Sequence, residues 1–245
     1  MADSVTVFFP MYNEENNIKQ AVDTAREVLE EITDDYEIII VDDASTDATG
    51  PIADSMARED PRIRVIHHET NRQLGGGLKT GFAAASKDLV LYSDADFPFD
   101  MMELKKAVRV IQHCDIVSAY RFDRTSEGYR RAIYSFCWNM LVRILYGIQV
   151  RDINFSFKLC RRSIFEHIRL KSESSFIDAE LLIRANNLGY RIFQIGVDYF
   201  PRTRGVSRLS SIPVIIKMTR DMVRHMREIK RLRTLTENSG NNGGD

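Results

Sequence analysis

The sequence predicts an α/β domain built on a mostly parallel sheet flanked by helices. Three observations carry that prediction. Short apolar runs of strand length alternate with stretches whose apolar residues recur at helical spacing. The early runs end in clusters of polar and acidic residues, as in sheets that bind ligands beyond the carboxyl ends of their strands. The chain of 245 residues, 44% of them hydrophobic, is long enough to bury a substantial core.

The elements follow in order. Val5–Phe9 reads as a strand ending at Pro10, and Glu37–Val41 (EIIIV) as a second. Between them Ile18, Val22, Ala25, Val28, Leu29 and Ile32 recur at helical spacing. Arg64–His67 is a third strand, Leu74–Ser86 a helix opened by glycines, and Leu89–Ser93 a fourth strand. Met101–His113 reads as helix and Asp115–Tyr120 as strand. In Arg130–Ile148 the apolar stripe is Ile133, Phe136, Cys137, Met140, Leu141, Ile144, Leu145 and Ile148. Packing into the core explains such a stripe, while Tyr134 and Trp138 beside arginines also suit a membrane interface. Asn154–Cys160 and Arg191–Phe200 read as strands, and Phe176–Asn187 as a helix.

A terminal helix over roughly 212–235 aligns Ile215, Met218, Met222, Met226 and Ile229, surrounded by Lys217, Arg220, Arg224, Arg227, Lys230, Arg231 and Arg233. Docking on an anionic membrane, at about 1 kcal/mol per Lys or Arg near the surface, is one reading. A surface or dimer-interface helix is the other. The tail 237–245 (ENSGNNGGD) is expected to be disordered.

Charge divides the chain. The total is −1, but residues 1–100 hold 8 Lys and Arg against 21 Asp and Glu, and residues 101–245 hold 26 against 14. An acidic half followed by a basic half argues against a uniformly basic nucleic-acid binder and against a disordered acidic chain. Cys114, Cys137 and Cys160 form no CxxC pair, which argues against a disulfide scaffold and against a cysteine-rich zinc site and suits a reducing compartment. The opening MADSVTVFFP does not read as a signal peptide, and no apolar run of about 18 residues predicts a membrane span.

Three predicted strand ends carry carboxylates: Glu14 and Glu15 after the first, Asp42 and Asp43 after the second, and Asp94 and Asp96 after the fourth. Asp94-Ala95-Asp96 would take a hard cation, Mg²⁺ or Mn²⁺, bridging to nucleotide phosphates. Capping of the next helix by Asp96 or Asp100 is the competing explanation. Asp42 and Asp43 would accept hydrogen bonds from a nucleobase or ribose, or would shape an Asx turn. Gly75-Gly76-Gly77 is either a phosphate cradle or a close helix–sheet contact, and Lys79 reaches a phosphate or water.

PMYNEE, VDDASTD, GGGLKTG and SDADFP, each placed at a strand end and in this order, resemble the family 2 glycosyltransferases of GT-A fold, most closely the dolichyl-phosphate mannose synthase-like branch. The resemblance spans roughly residues 4–210. It implies a nucleoside-diphosphate sugar, GDP- or UDP-linked, a divalent metal and inversion at the anomeric carbon. It places Pro10, Tyr12 and Glu14 with Asp42 and Asp43 around base and ribose, and Asp94 and Asp96 on metal and diphosphate. The branch's Leu-Gln after DAD is replaced here by Phe97-Pro98, and proline brings no ligand. Arg202 corresponds to a phosphate contact and Arg208 to a basic residue of the same loop, on the acceptor side. Arg121, Arg131 and Asp152 correspond to the acceptor surroundings. Asp178 stands where the family has its catalytic carboxylate, although Ser175-x-x-Asp178 also fits a capping box.

The expected organisation is a GT-A domain over 1–210, its nucleotide-binding half about 1–100 and acceptor half about 101–210, followed by a basic amphipathic helix over 211–236. The expected activity is hexose transfer to a membrane polyprenyl phosphate, at the cytoplasmic face of a membrane, with self-association left open. Two alternatives stand beside it: a glycan hydroxyl acceptor in surface-polysaccharide assembly, and a non-catalytic nucleotide-sugar binder.

Overall fold

The computed structural model describes residues 4–123, 129–199, 216–226 and 228–229. One seven-stranded sheet organises them. Its strands are β1 (Val5–Met11), β2 (Tyr36–Asp42), β3 (Ile63–His67), β4 (Leu89–Ser93), β5 (Ile116–Arg121), β6 (Phe157–Arg161) and β7 (Ile192–Val197), in the spatial order β3-β2-β1-β4-β6-β5-β7. Every pairing is parallel except those of β6, which runs antiparallel to both β4 and β5. The mostly parallel α/β class is therefore the observed one.

Helices cover both faces. β1, β2 and β4 are buried or nearly so along their length, which is why they read as continuous apolar runs. Alternate residues still divide. Val5, Val7, Phe9, Ile38, Ile40, Leu89 and Leu91 face a core shared with α1 (Ile18–Glu30) and α4 (Glu103–Val110). Phe8, Ile39, Val41, Val90 and Tyr92 face the opposite core, with α3 (Gln73–Ala84) and α6 (Ile177–Asn187).

A helix over Thr49–Glu59, α2, was not expected. Gly50 and Pro51 read as breakers, yet Pro51 falls in the first turn, where its missing N–H costs no helical bond. β6 begins at Phe157, later than the Asn154 expected, because Asp152 takes a positive φ of 50° and Phe155 N–H closes a turn on the Asp152 carbonyl.

Of the two readings of the stripe on α5 (Tyr129–Tyr146), packing into the core does not hold for most of it: Ile144 is 73% exposed and Phe136 63%, with Ile133, Cys137, Met140 and Leu141 also exposed. Val142 and Tyr146 are the residues buried beneath it. The helix is apolar on nearly all sides, so periodicity alone does not say which side turns inward.

The opposite happens in the terminal helix, described over 216–226. Met218, Met222 and Ile229 sink into the core beside α6, so the methionine stripe is not available to lipid. Ile216 and Val223 are exposed instead, alongside Arg220 and Arg224. The tail 237–245 and the rest of the expected terminal helix lie outside the described residues. No described helix is long and apolar enough to cross a membrane.

Candidate active site

Parallel pairing brings the carboxyl ends of β1 to β4 to one side: Met11 lies beside Asp42, and Asp42 beside His67. The antiparallel β6 delivers the loop before it to that same side, since Phe157 pairs with Ser93. Five described non-glycine residues have positive φ, and all five stand at this end: Asn13, Ala44, Phe97 and Asp152 in loops and Gln73 at the start of α3. Such backbone costs about 1–3 kcal/mol per residue and gathers where loops are held for a purpose.

The loops after β1 and β2 are laced together. Asn13 N–H donates to Ser45 Oγ at 3.0 Å, Thr46 N–H to Asn13 Oδ1 at 2.8 Å, and Glu14 N–H to Thr49 Oγ1 at 2.8 Å. Glu14 also accepts from Asn17 Nδ2 at 2.7 Å, and Tyr12 sits exposed at the rim. Burial pushes the Asp47 carboxyl up, but hydrogen bonds from Thr49 and the Glu15 amide outweigh it and hold the pKa below the ordinary value.

Asp42 and Asp43, both buried, differ in what they hold. Asp42 accepts from Ser45 N–H at 3.0 Å and pairs with His67 Nδ1 at 2.8 Å, while the Asx turn of this stretch is formed by Asp47, whose Oδ1 accepts Thr49 N–H at 2.9 Å. Asp43 Oδ1 pairs with His68 Nδ1 at 2.6 Å and accepts Arg72 N–H at 2.7 Å. The Asp42 carboxylate, followed by Asp54, raises the His67 pKa above its usual value.

The glycine run is a packing device rather than a cradle. A Cβ on Gly75 would stand 2.5 Å from the Glu173 backbone, and one on Gly77 2.9 Å from Pro10 Cβ. Gly75 N–H is given to the Glu173 carbonyl at 3.1 Å. Lys79 reaches the Lys171 carbonyl and Glu173, 3.3 and 3.4 Å away, so it braces the same contact.

Asp94 and Asp96 follow β4, both half-buried. The competing helix-start role belongs to Asp100, whose Oδ1 accepts Met102 N–H at 2.9 Å. Two hard carboxylates suit Mg²⁺ or Mn²⁺, ions that keep waters and take phosphate oxygens to complete their shell. Among the described residues no group of three or more His, Cys, Asp or Glu is placed to enclose a metal. Phe97 and the buried Pro98 add no ligand.

The glycosyl transferase family 2 model matches residues 6–169. The chain belongs to that family. Its relatives include glycosyltransferase AglD of Haloferax volcanii, 33% identical over 90% of this chain, which spans 36% of that protein. An undecaprenyl-phosphate mannosyltransferase of Micrococcus luteus is 27% identical over 84% of this chain and 87% of its own. In fold, the chain resembles glucosyl-3-phosphoglycerate synthase from Mycobacterium tuberculosis, solved with Mn²⁺, UDP-glucose and phosphoglyceric acid, at TM-score 0.69 and 17% identity over 93% of this chain and 79% of that one.

Within this family 2 member, the residues expected on the acceptor side meet in pairs. Arg121 and Asp152 form a buried ion pair, Arg121 Nε lying 2.6 Å from Asp152 Oδ2, with the guanidinium 5.2 Å from the Tyr199 ring centroid. Asp178 is 2% exposed; its Oδ1 accepts from Lys158 Nζ at 2.7 Å and from the Tyr92 hydroxyl. Burial, with Asp178 and Asp94 nearby, pushes the Tyr92 pKa well up. The capping box is not formed: α6 has no side-chain cap, and Ser174 Oγ accepts Phe176 N–H. Arg131 lies in the backbone of α5, and its side chain is not among those described; Arg202 and Arg208 lie outside the described residues.

Sequence reasoning missed His67, His68, Tyr92 and Lys158. For the histidines the available signal was position: both stand where a strand ends on the acidic side. Lys158 gave none, since a lysine within an apolar strand reads as a solvent-facing residue until its partner is known.

Proposed function

We propose that the protein is an inverting, divalent-metal-dependent transferase that moves a hexose from a nucleoside-diphosphate sugar to a polyprenyl phosphate at a membrane surface. The observation that carries this reading is the outer face of α5. It presents Ile133, Phe136, Met140, Leu141 and Ile144, and its sequence holds three arginines and no acid. The same helix is tied to the acceptor-side loop, Trp138 Nε1 donating to Asn154 Oδ1 at 2.9 Å and Ile153 N–H to Asn139 Oδ1 at 2.9 Å. An apolar and basic face beside that loop suits the chain and surroundings of an anionic lipid acceptor. The exposed Arg220 and Arg224 extend the basic surface.

Burial of Asp178 supports the same acceptor. A hydroxyl nucleophile needs a base within hydrogen-bond reach, whereas a phosphate arrives anionic. A carboxylate 2% exposed and bonded to Lys158 suits a support for the site better than a base, and the assignment of Asp178 as catalytic is narrowed accordingly. Asp94 and Asp96 would hold the divalent ion, which would supply neutralisation of the charge on the departing diphosphate. Asp43, with Tyr12, Glu14 and Pro10 around it, holds the nucleoside. Arg121, positioned by Asp152, would serve the acceptor, and on the family resemblance Arg131 and Arg208 would do so too and Arg202 would serve the donor phosphates. The acceptor phosphate oxygen bonds to the anomeric carbon as the nucleoside diphosphate leaves from the opposite face.

On this reading residues 1–210 are the transferase domain and 211–236 a basic amphipathic helix, placing the protein peripherally on the cytoplasmic face. The test supplies radiolabelled GDP- and UDP-sugars, Mg²⁺ or Mn²⁺, and vesicles holding polyprenyl phosphate. Label entering the organic-extractable lipid is expected with one donor. No lipid label from any donor, with label entering a glycan instead, would overturn the acceptor.

A further inference from the structure

The two aspartates at the end of β2 divide their work, and a histidine decides how. Both oxygens of Asp42 are occupied, one by Ser45 N–H and the other by His67. In Asp43 both strong contacts converge on Oδ1, His68 Nδ1 at 2.6 Å and Arg72 N–H at 2.7 Å. Oδ2 receives no donor among the described residues, and it is not sealed from solvent. The residue is otherwise fixed: its N–H donates to the Met11 carbonyl at 2.8 Å, and its carbonyl accepts Asn71 Nδ2 at 3.2 Å.

His68 is itself held. Its side chain is 5% exposed, and Nε2 lies 2.8 Å from Thr80 Oγ1 on α3. With Thr80 O–H donating to Nε2, the neutral ring carries its proton on Nδ1 and donates it to Asp43. The carboxylate therefore keeps one orientation without a mobile surface partner.

We propose that His68 is a positioning residue for donor binding, locking Asp43 through Oδ1 so that Oδ2 is presented to an N–H or hydroxyl of the nucleoside. This rests on the donor reading above. Asp42 is the structural member of the pair, and Asp43 the one that meets ligand. A carboxylate already oriented loses little freedom on binding, so the effect belongs to donor affinity and not to the chemical step.

The test titrates UDP and GDP, each with Mn²⁺, into the wild-type protein and into His68→Leu, His68→Asn and Thr80→Val, with steady-state donor kinetics alongside. His68→Leu removes the donor to Asp43 and is expected to weaken the nucleotide about tenfold, raising donor KM to match while kcat stays within about threefold. His68→Asn, whose Nδ2 stands in for Nδ1, is expected to recover most of that loss. If His68→Leu does not fold, Thr80→Val decides, with a KM increase of a few-fold expected. Wild-type protein that binds neither nucleotide overturns the donor reading and this one with it. Wild-type binding matched by His68→Leu overturns this inference alone, as does a fall in kcat at constant KM.

Discussion

Lys158 has its ammonium 0% exposed and bonded both to Asp178 Oδ1 and to the Phe155 carbonyl at 2.8 Å. Removing only one member leaves a buried charge without its counterion, which costs about 3–5 kcal/mol. Lys158→Met is expected to lower stability by that order in urea unfolding. Lys158→Met with Asp178→Asn should recover a large part, since the uncompensated charge is gone. A double variant no more stable than the single one would contradict the pairing. His67 makes a smaller, pH-dependent contribution. Its pKa is raised in the fold, so it stabilises below the unfolded value near 6.5 and the contribution fades as pH climbs through the folded value. The ring is 44% exposed, so the effect is a fraction of a kcal/mol, within the ~0.2–1 kcal/mol of exposed pairs. Thermal melts from pH 6 to 8 should show the wild type losing more stability than His67→Gln.

α5 carries a buried side and an exposed apolar side that can be tested apart. Val142→Ala removes two buried methyl groups and should cost about 2 kcal/mol of stability. Phe136→Ser with Ile144→Ser touches only the exposed face. It should leave the urea midpoint nearly unchanged while reducing co-flotation with anionic vesicles. Equal flotation of that variant and the wild type would remove α5 from the membrane contact. The same helix shows where sequence reading ends. β1, β2 and β4 were plain because short apolar runs bounded by acidic clusters have few other structures open to them. The inward sides of α5 and of the 216–226 helix were not legible, because a helix apolar on several sides, or basic around a methionine stripe, fits either orientation until its neighbours are placed. Asp94, Asp96, Asp42 and Asp43 could be picked out by their position after strands. Their partners could not, since His67, His68 and Lys158 come to them only through the pairing of β3 with β2 and β6 with β4.

Across the molecule, the near-neutral total charge divides along the sheet. The acidic first half supplies the loops after β1, β2 and β4, and the basic second half supplies α5 and the terminal helix. Glu37 braces the opposite end of the sheet. Burial pushes its carboxyl up, but hydrogen bonds from Ser86, Arg64 and Thr6 outweigh this and hold the pKa below its ordinary value. Its stabilising contribution is therefore complete above the unfolded value of 4.5 and is lost as pH falls through the folded one. Glu37→Gln should flatten the acid limb of the stability profile below pH 4.5, read by unfolding midpoints. The antiparallel β6 has its own consequence for how the chain is made. β4, every residue of it buried, pairs on one side with β1 and on the other with a strand that leaves the ribosome only after α5. At about 5–20 residues per second, the nascent first half spends seconds with a bare apolar β-edge. Until β6 arrives, that edge is where the growing polypeptide is open to strand addition by another chain.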